Sequence, residues 1–172
     1  EHFRAWFKRR VERTMRRYGM VSPGDRVLVA VSGGKDSLVL LHVLETLSSQ
    51  MGFEIAALTL DLGISGNSYS RRSVEKALEA SEALGVEHHV VSLRDRYGFT
   101  LDEAVGAVRR PPCSTCGLIK RYVLTDVARE LGYDALATGH TLNDIGRFLL
   151  ASYISASLNE LLRLTPVSPP KL

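Results

Sequence analysis

The sequence contains few cysteines, a single tryptophan and no long apolar run. Its two cysteines, Cys113 and Cys116, form one CxxC motif, and this excludes a small scaffold held together by disulfides. No apolar stretch approaches the roughly 18 residues of a membrane span. The first twenty residues are basic and lack the apolar segment of a signal peptide. We therefore predict a cytoplasmic protein without a membrane anchor.

The formal net charge is only +3, but the charge is unevenly distributed. Residues 1–20 contain seven Lys or Arg and two Glu, and aromatic residues recur among them at helical spacing. This pattern predicts a basic amphipathic helix that ends near Gly19. A concentrated basic element favours a polyanionic partner, with nucleic acid first. A solvated helix face explains the same charge equally well.

The chain has 172 residues and is 45% hydrophobic, as is typical of one globular domain with a sizeable core. Short β-branched apolar segments alternate with amphipathic segments, which indicates an α/β fold with a largely parallel sheet. The predicted strands are residues 26–31, 53–60, 88–93 and 135–138, and the predicted helices are residues 3–18, 38–47, 70–84, 101–108, 118–131 and 143–164.

Residues 32–37, Ser-Gly-Gly-Lys-Asp-Ser, lie between the first predicted strand and the next helix. The glycines allow a tight turn, and the helix N-terminus presents free N–H groups to an anion. Ser32 and Ser37 add hydroxyl donors, and Lys35 adds positive charge. These features predict a phosphate-binding loop rather than an ordinary glycine-rich turn. The loop is neither a Walker A motif, which has Ser or Thr after its lysine, nor a G-x-G-x-x-G dinucleotide fingerprint.

The hexapeptide resembles the signature of the PP-loop ATP pyrophosphatases. The resemblance implies a Rossmann-like open parallel sheet of about five strands with helices on both faces, the HUP or adenine-nucleotide alpha-hydrolase fold. Such proteins bind ATP with Mg²⁺ between its phosphates, adenylate a substrate oxygen and release pyrophosphate. The implied phosphate-binding residues are Ser32, Gly33, Gly34, Asp36 and Ser37. Ala30 and Leu60, at the carboxyl ends of their strands, are implied to line the adenosine site.

Cys113 and Cys116 follow two prolines and precede the helix predicted at residues 118–131. The positive end of a helix dipole favours the thiolate form of cysteine, and thiolates bind soft metals or attack sulfur. Taken alone, the pair is compatible with a metal cluster, with half of a zinc site or with a redox dithiol. No thioredoxin pattern surrounds it.

The phosphate loop followed by this CxxC resembles the TtuA/TtcA group of tRNA 2-thiolation enzymes. The form C-x-x-C-G-L-x-K-R-Y is most similar to the TtuA branch, which makes 2-thiouridine in the T-loop of tRNA. The resemblance implies that Cys113 and Cys116 are catalytic and, with a later third cysteine, hold a [4Fe-4S] cluster. That third cysteine is absent from this chain. Lys120 is the matching basic residue, expected to stabilise negative charge during the reaction. Its alternative is a solvated helix lysine.

Residues 137–144, Ala-Thr-Gly-His-Thr-Leu-Asn-Asp, resemble the family's Ala-Thr-Gly-His-Asn-Leu-Asp-Asp. Gly139 is implied to let the backbone approach the nucleotide, and Asp144 is the candidate catalytic carboxylate. Asn143 replaces the first of the family's two aspartates, so this segment departs from the family pattern.

In the TtuA branch, a small zinc module precedes this domain, and its last ligand is a histidine before an aromatic-basic helix. His2 matches that position, and its cysteine partners would precede Glu1. The resemblance divides the chain into a linker helix (1–20), a PP-loop ATP pyrophosphatase catalytic domain (21–165) and a Pro-rich start of a further region (166–172). We therefore interpret the chain as a fragment of a longer protein.

The motifs together predict ATP-dependent thiolation of a tRNA uridine at its C2 oxygen. The resemblance implies that sulfur arrives from a ubiquitin-like sulfur-carrier protein and that the enzyme is a homodimer. Three alternatives stay open. They are thiolation of a tRNA cytidine, a lysidine- or amide-forming PP-loop reaction, and a nucleotide-binding module without catalytic activity.

Overall fold

The computed structural model describes residues 2–65 and 69–156, together with Thr165, Val167 and Ser168. It contains two compact units, one formed by Ser22–Gly139 and the other by Glu1–Val21 with His140–Leu172. In chain order the elements are α1 (His2–Arg17), β1 (Arg26–Ala30), α2 (Lys35–Met51), β2 (Glu54–Asp61), α3 (Tyr69–Leu84), β3 (His88–Ser92), α4 (Leu93–Tyr97), α5 (Leu101–Ala107), α6 (Pro112–Glu130), β4 (Ala135–Thr138) and α7 (Leu142–Ile154).

The four strands form one parallel sheet in the order β3-β2-β1-β4. Ala30, the last residue of β1, pairs with Leu58 of β2 on one side and with Thr138 of β4 on the other. The chain therefore builds the sheet outward from β1 through β2 and β3, and then returns to add β4 on the opposite side. The predicted open α/β sheet is confirmed, and the described residues contain four of the approximately five strands expected.

The central strands β1 and β2 are buried on both faces of the sheet, which explains why β1 is almost entirely apolar. Leu28 and Leu58 belong to a core cluster that includes Val123 and Val127 of α6. Val29 is one residue away along β1, so its side chain points to the opposite face, and it is also fully buried. Helices α2 and α3 contact strands β1, β2 and β3. This packing confirms the prediction that helices cover both faces of the sheet.

Helix α4 is an element that the sequence pattern did not predict. The third strand was expected to continue through Leu93, but it ends at Ser92. The Ser92 hydroxyl accepts a hydrogen bond from the N–H of Asp95 and thereby caps α4. A serine at this position competes with strand pairing because its side chain satisfies a free N–H at a helix start.

Helix α6 begins six residues earlier than predicted, at Pro112. Proline is favoured in the first turn because its fixed φ suits the helix and its missing N–H needs no partner. The Pro111 carbonyl accepts hydrogen bonds from Ser114 N–H at 3.0 Å and Thr115 N–H at 3.1 Å. The CxxC motif therefore lies within the first turns of α6 and not in front of it.

The second unit contains α1 and α7. The basic helix predicted near the N-terminus is confirmed, because α1 spans His2–Arg17. The last predicted helix begins at Leu142, and its predicted continuation over residues 157–164 lies outside the described residues. Among the described residues, no helix is both long and apolar enough to cross a membrane. The three-part division of the chain stays a prediction.

His88 links β3 to β2 through a side-chain hydrogen bond. Its Nε2 lies 2.9 Å from the hydroxyl of Thr59, which in turn donates to the Val31 carbonyl at 2.7 Å. Burial holds the pKa of His88 below its usual value of 6.5, and the charge of neighbouring His89 adds to the shift, whereas the Ala77 backbone opposes it. The folded protein therefore favours the neutral ring.

Acidification is predicted to destabilise the fold through His88. The unfolded chain binds a proton on His88 at a higher pH than the folded chain does, so stability falls as pH drops through the usual pKa of histidine. The melting temperature of the wild type should decrease from pH 7.5 to pH 5.5, and the decrease should be smaller in His88→Gln. An equally steep decrease in the variant would contradict this assignment.

Candidate nucleotide-binding site

The candidate site lies at the carboxyl end of β1, the strand at which the strand order reverses. Gly139 directly follows β4 and packs against the first turn of α2. A Cβ atom at Gly139 would lie 3.1 Å from the Asp36 carbonyl oxygen and 3.2 Å from the Ser37 Cα. Open α/β sheets bind ligands at such a reversal, outside the carboxyl ends of their strands. Gly139 therefore allows α2 to start close beside the sheet.

The loop after β1 is closed by the side chain of Ser37. Ser37 is buried, and its Oγ accepts a hydrogen bond from Ser32 N–H at 3.1 Å and donates to the Gly34 carbonyl at 2.9 Å. Its single proton is then used, so the Ser32 hydroxyl at 3.2 Å is the donor in the contact between the two side chains. Ser37 thus shapes the loop from inside, whereas Ser32 is exposed at its surface.

Gly33 brings the loop into contact with α3. Its φ is 69°, in the left-handed region that favours glycine. A Cβ atom here would lie 2.4 Å from the Ser73 carbonyl oxygen. Both the backbone angle and the space therefore require glycine. The neighbouring Gly34 has an ordinary φ of −83°, and a Cβ atom there would meet only the Ser32 hydroxyl, at 3.4 Å.

The N-terminus of α2 has the features of an anion site. Its N-cap residue is Gly34, which has no side chain to accept a hydrogen bond from the N–H groups of the first turn. Lys35 Nζ lies 2.9 Å and 3.0 Å from the two carboxylate oxygens of Asp36, and both side chains are exposed. The pair contributes little net charge, so the helix dipole and free N–H groups dominate locally.

A cavity opens beside this loop and contains about 580 Å³ of empty space, part of it open to solvent. The lining residues are Ala30, Val31, Ser32, Leu58, Thr59, Leu60, Leu62, Ile64, Ser70, Ser73, Lys120 and Leu124. Its walls are mainly aliphatic, with hydroxyl groups and one lysine. Ala30, Leu60 and Lys120 thus line one cavity together with Ser32 of the phosphate loop.

The cysteine pair lies one helical turn from this cavity. Cys116 precedes Lys120 by four residues on α6, so the two side chains share one side of the helix. Cys116 is half-buried against the core, and Cys113 is exposed. Both are free thiols. In the described part of the chain, no cluster of three or more Cys, His, Asp or Glu residues is placed to hold a metal ion.

Asp144 and His2 belong to the other compact unit. Asp144 accepts hydrogen bonds from the N–H of Thr141 at 2.8 Å and from its hydroxyl at 2.7 Å, and it forms a capping box with Thr141, the N-cap residue of α7. These two bonds lower the pKa of the Asp144 carboxyl. His2 is an exposed residue in the first turn of α1. The roles of both residues stay predictions.

Sequence reasoning missed the part of the cavity that comes from the β2–α3 connection. Ser70 and Ser73 lie on the first turns of α3, and Leu62 and Ile64 precede it. The Asp61 carboxylate accepts hydrogen bonds from Gly63 N–H at 3.0 Å and from the Ser70 hydroxyl at 2.5 Å. The position of this connection after a strand indicates the correct edge of the sheet, but nothing in the pattern shows which α3 residues face the loop.

The fold and the site define a nucleotide-binding α/β domain with its phosphate loop at the reversal of a parallel sheet. The chain belongs to the PP-loop domain family, whose family model matches residues 5–163.

Similar proteins extend this assignment. The chain is 42% identical over 169 residues to tRNA-5-methyluridine(54) 2-sulfurtransferase of Pyrococcus horikoshii, covering 98% of this chain and 52% of the relative. It is 43% identical over 171 residues to the protein of the same name from Thermus thermophilus, covering 99% and 51%. The U34-tRNA thiolase NcsA of Methanococcus maripaludis, solved with its [4Fe-4S] cluster, superimposes with a TM-score of 0.80 at 30% identity, covering 95% of this chain and 55% of that one.

These similarities confirm the predicted resemblance to tRNA thiolation enzymes. They also confirm the predicted fold class. The chain spans about half the length of the curated relatives it matches.

Gly33→Ala is predicted to be much more disruptive than Gly34→Ala. The first change combines a left-handed backbone angle with a backbone clash, and should reduce the free energy of unfolding by at least about 2 kcal/mol. The second should cost less than about 1 kcal/mol. Thermal melts of both variants check this, with an expected difference of about 2 °C or more. Equal melting temperatures would show that Gly33 is not constrained as described.

Proposed function

We propose that this domain catalyses ATP-dependent thiolation of tRNA. In the proposed reaction, the C2 oxygen of a uridine, in the T-loop, attacks the α-phosphorus of ATP, and pyrophosphate leaves. A sulfur nucleophile then attacks C2, and AMP departs with the former C2 oxygen. The observation that carries the proposal is that Lys120 lines the cavity beside the phosphate loop and follows Cys116 by one turn of α6.

ATP is proposed to bind across the carboxyl ends of β1 and β2. The adenosine would contact the aliphatic wall that includes Ala30 and Leu60, and the phosphates would accept hydrogen bonds from N–H groups around Gly33 and Gly34. The Asp36 carboxylate cannot form a hydrogen bond with an ionised phosphate, because both groups are acceptors. Its exposed position suits a ligand of Mg²⁺, which binds through one or two carboxylates together with substrate phosphates.

Lys120 is proposed to stabilise the charge that develops on the reacting groups. It is half-buried in the cavity wall, where a cation interacts more strongly than in bulk water. Asp144 is proposed to act in the reaction as an ionised carboxylate. Its lowered pKa keeps it deprotonated at neutral pH. A role as a proton donor is therefore disfavoured.

Cys113 and Cys116 are proposed to handle sulfur. Two thiolates on adjacent turns fit part of the ligand set of a [4Fe-4S] cluster, which uses soft thiolate ligands and would supply a site for sulfur binding. The chain contains no third cysteine, so no step is assigned here to such a cluster. His2 remains a proposed ligand of a Zn²⁺ module, although no group of three or more His, Cys, Asp or Glu among the described residues is placed to hold a metal ion.

The proposed partners are tRNA and a ubiquitin-like sulfur-carrier protein, and the proposed assembly is a cytoplasmic homodimer. Seven basic residues on α1 support the tRNA assignment, because exposed Lys and Arg provide phosphate contacts that do not depend on base sequence.

Lys120→Met is predicted to reduce tRNA-dependent AMP formation by about a hundredfold, because it removes the positive charge and keeps much of the side-chain bulk. Lys76→Met is the matched control, since Lys76 is exposed on α3 and does not line the cavity. Single-turnover release of AMP and pyrophosphate checks the prediction. A rate for Lys120→Met within twofold of the control would remove Lys120 from the reaction.

Cells that lack the gene are predicted to lose one 2-thiouridine nucleoside from their tRNA. The wild-type gene and Ser114→Ala should restore it, whereas Cys113→Ser should not, because an alcohol cannot replace the thiolate as a carrier of sulfur. Mass spectrometry of digested tRNA provides the measurement. Loss of lysidine or of a thiocytidine would identify another PP-loop reaction. An unchanged nucleoside profile in the deletion strain would exclude tRNA thiolation.

A further inference from the structure

The connection between α5 and α6 carries an exposed cationic surface next to the cysteine pair. We propose that Arg109, Arg110 and Arg121 form a binding surface for tRNA phosphates that presents the target nucleotide to the CxxC motif. The inference rests on the proposed function, because it names the part of the domain that holds the substrate. It is distinct from the contribution proposed for α1, which lies in the other compact unit.

No carboxylate in the described part of the chain forms an ion pair with the charges on this surface. All three arginines are exposed. Across the described residues, none of them forms an ion pair, whereas Arg71, Arg94 and others do. Residues 108–122 contain four basic residues and no Asp or Glu. Like charges on adjacent residues repel each other. Arg109 and Arg110 without a counter-charge therefore do not stabilise the fold, and a binding role accounts for them better.

The carboxylates that precede this surface on α5 already have other partners. Asp102 accepts a hydrogen bond from Ser65 N–H at 2.6 Å. Glu103 is bound by Arg94 at 2.7 Å and also accepts from Thr100 N–H at 2.7 Å. These contacts hold both acidic side chains at the start of α5, so they are not available to balance the arginines that follow its end.

The arginines have a defined position relative to the thiols. The Pro111 carbonyl is fixed to the first turn of α6 by two hydrogen bonds, and Arg110 directly precedes it. Arg110 lies three positions before Cys113, so their Cα atoms are at most about 11 Å apart. Arg121 lies eight residues after Cys113, about 12 Å further along the helix, and its Nε donates to the Gly117 carbonyl at 3.4 Å. The cations therefore flank the exposed Cys113 on both sides.

An RNA backbone is the partner whose chemistry fits this arrangement. Guanidinium groups bind phosphate in a bidentate manner, and the two prolines after Arg110 restrict the backbone, so that less conformational entropy is lost on binding. The exposed Tyr122 on α6 adds a ring on which an unstacked base can pack. A flexible loop of tRNA could thus be held by its phosphates on either side of the nucleotide that reacts.

The test compares the double variant Arg109→Gln/Arg110→Gln with a control that removes the same charge elsewhere, Lys76→Gln/Arg129→Gln. Binding of unmodified tRNA is measured between 50 and 200 mM KCl, about the range over which phosphate contacts dominate affinity. The first variant should bind tRNA about fivefold to tenfold more weakly, and the slope of log Kd against log salt should fall by about 2. The control variant should bind tRNA as the wild type does. The ATP affinity and the melting temperature of the Arg109→Gln/Arg110→Gln variant should also match those of the wild type.

Two further measurements distinguish a loss of tRNA binding through charge from other effects of the substitution. Arg109→Lys/Arg110→Lys should recover most of the affinity, because it restores the charge, and the glutamine variant should raise the KM for tRNA in AMP formation with little change in kcat. Equal affinity and salt slope in the glutamine variant and wild type would overturn the inference, as would normal tRNA binding with impaired use of a protein sulfur donor. If the wild type itself neither binds tRNA nor forms AMP with it, the proposed function fails first.

Discussion

The chain can leave β1, pass against the backbone of α3 and enter α2 only because Gly33 adopts a φ of 69°. A side chain at this position would overlap the Ser73 carbonyl. The loop is then closed from inside by the buried Ser37 hydroxyl. Because these contacts use backbone and small hydroxyl groups, the positive end of α2 stays accessible at the edge of the sheet. The rest of the nucleotide site is arranged around this turn.

The same turn explains how the protein can attract a triphosphate without a strongly cationic loop. Lys35 is paired with Asp36, so neither contributes a full free charge. The favourable interactions available to phosphate are the free N–H groups at the start of α2, Mg²⁺ held at Asp36 in the proposed complex, and Lys120 from α6. Charge is thus supplied from a second helix, and that helix also carries the cysteines. In the proposed reaction, α6 therefore connects nucleotide binding with sulfur chemistry.

Local signals made the phosphate loop predictable from the sequence. A buried strand, two glycines and a helix start follow one another within a dozen residues, and each depends on its nearest neighbours. The start of α6 was missed because apolar periodicity begins only after the CxxC, whereas the helix is initiated by Pro112. Ser70 and Ser73 were missed for another reason. Their place in the cavity is set by how α3 packs on the sheet. Contacts between residues that are far apart in the chain leave no local pattern in the sequence.

Asp144, for which a catalytic role is proposed, also satisfies a structural requirement. Its carboxylate accepts two hydrogen bonds from Thr141, and the same bonds start α7 and lower its pKa. A carboxylate stabilised in this way is a weak base, so it is poorly suited to remove a proton. It is, however, a fixed negative charge with a defined orientation. If Asp144 takes part in the reaction, its chemistry is therefore electrostatic or metal-directed, and its replacement by Asn would preserve the cap of α7 better than it preserves the reaction.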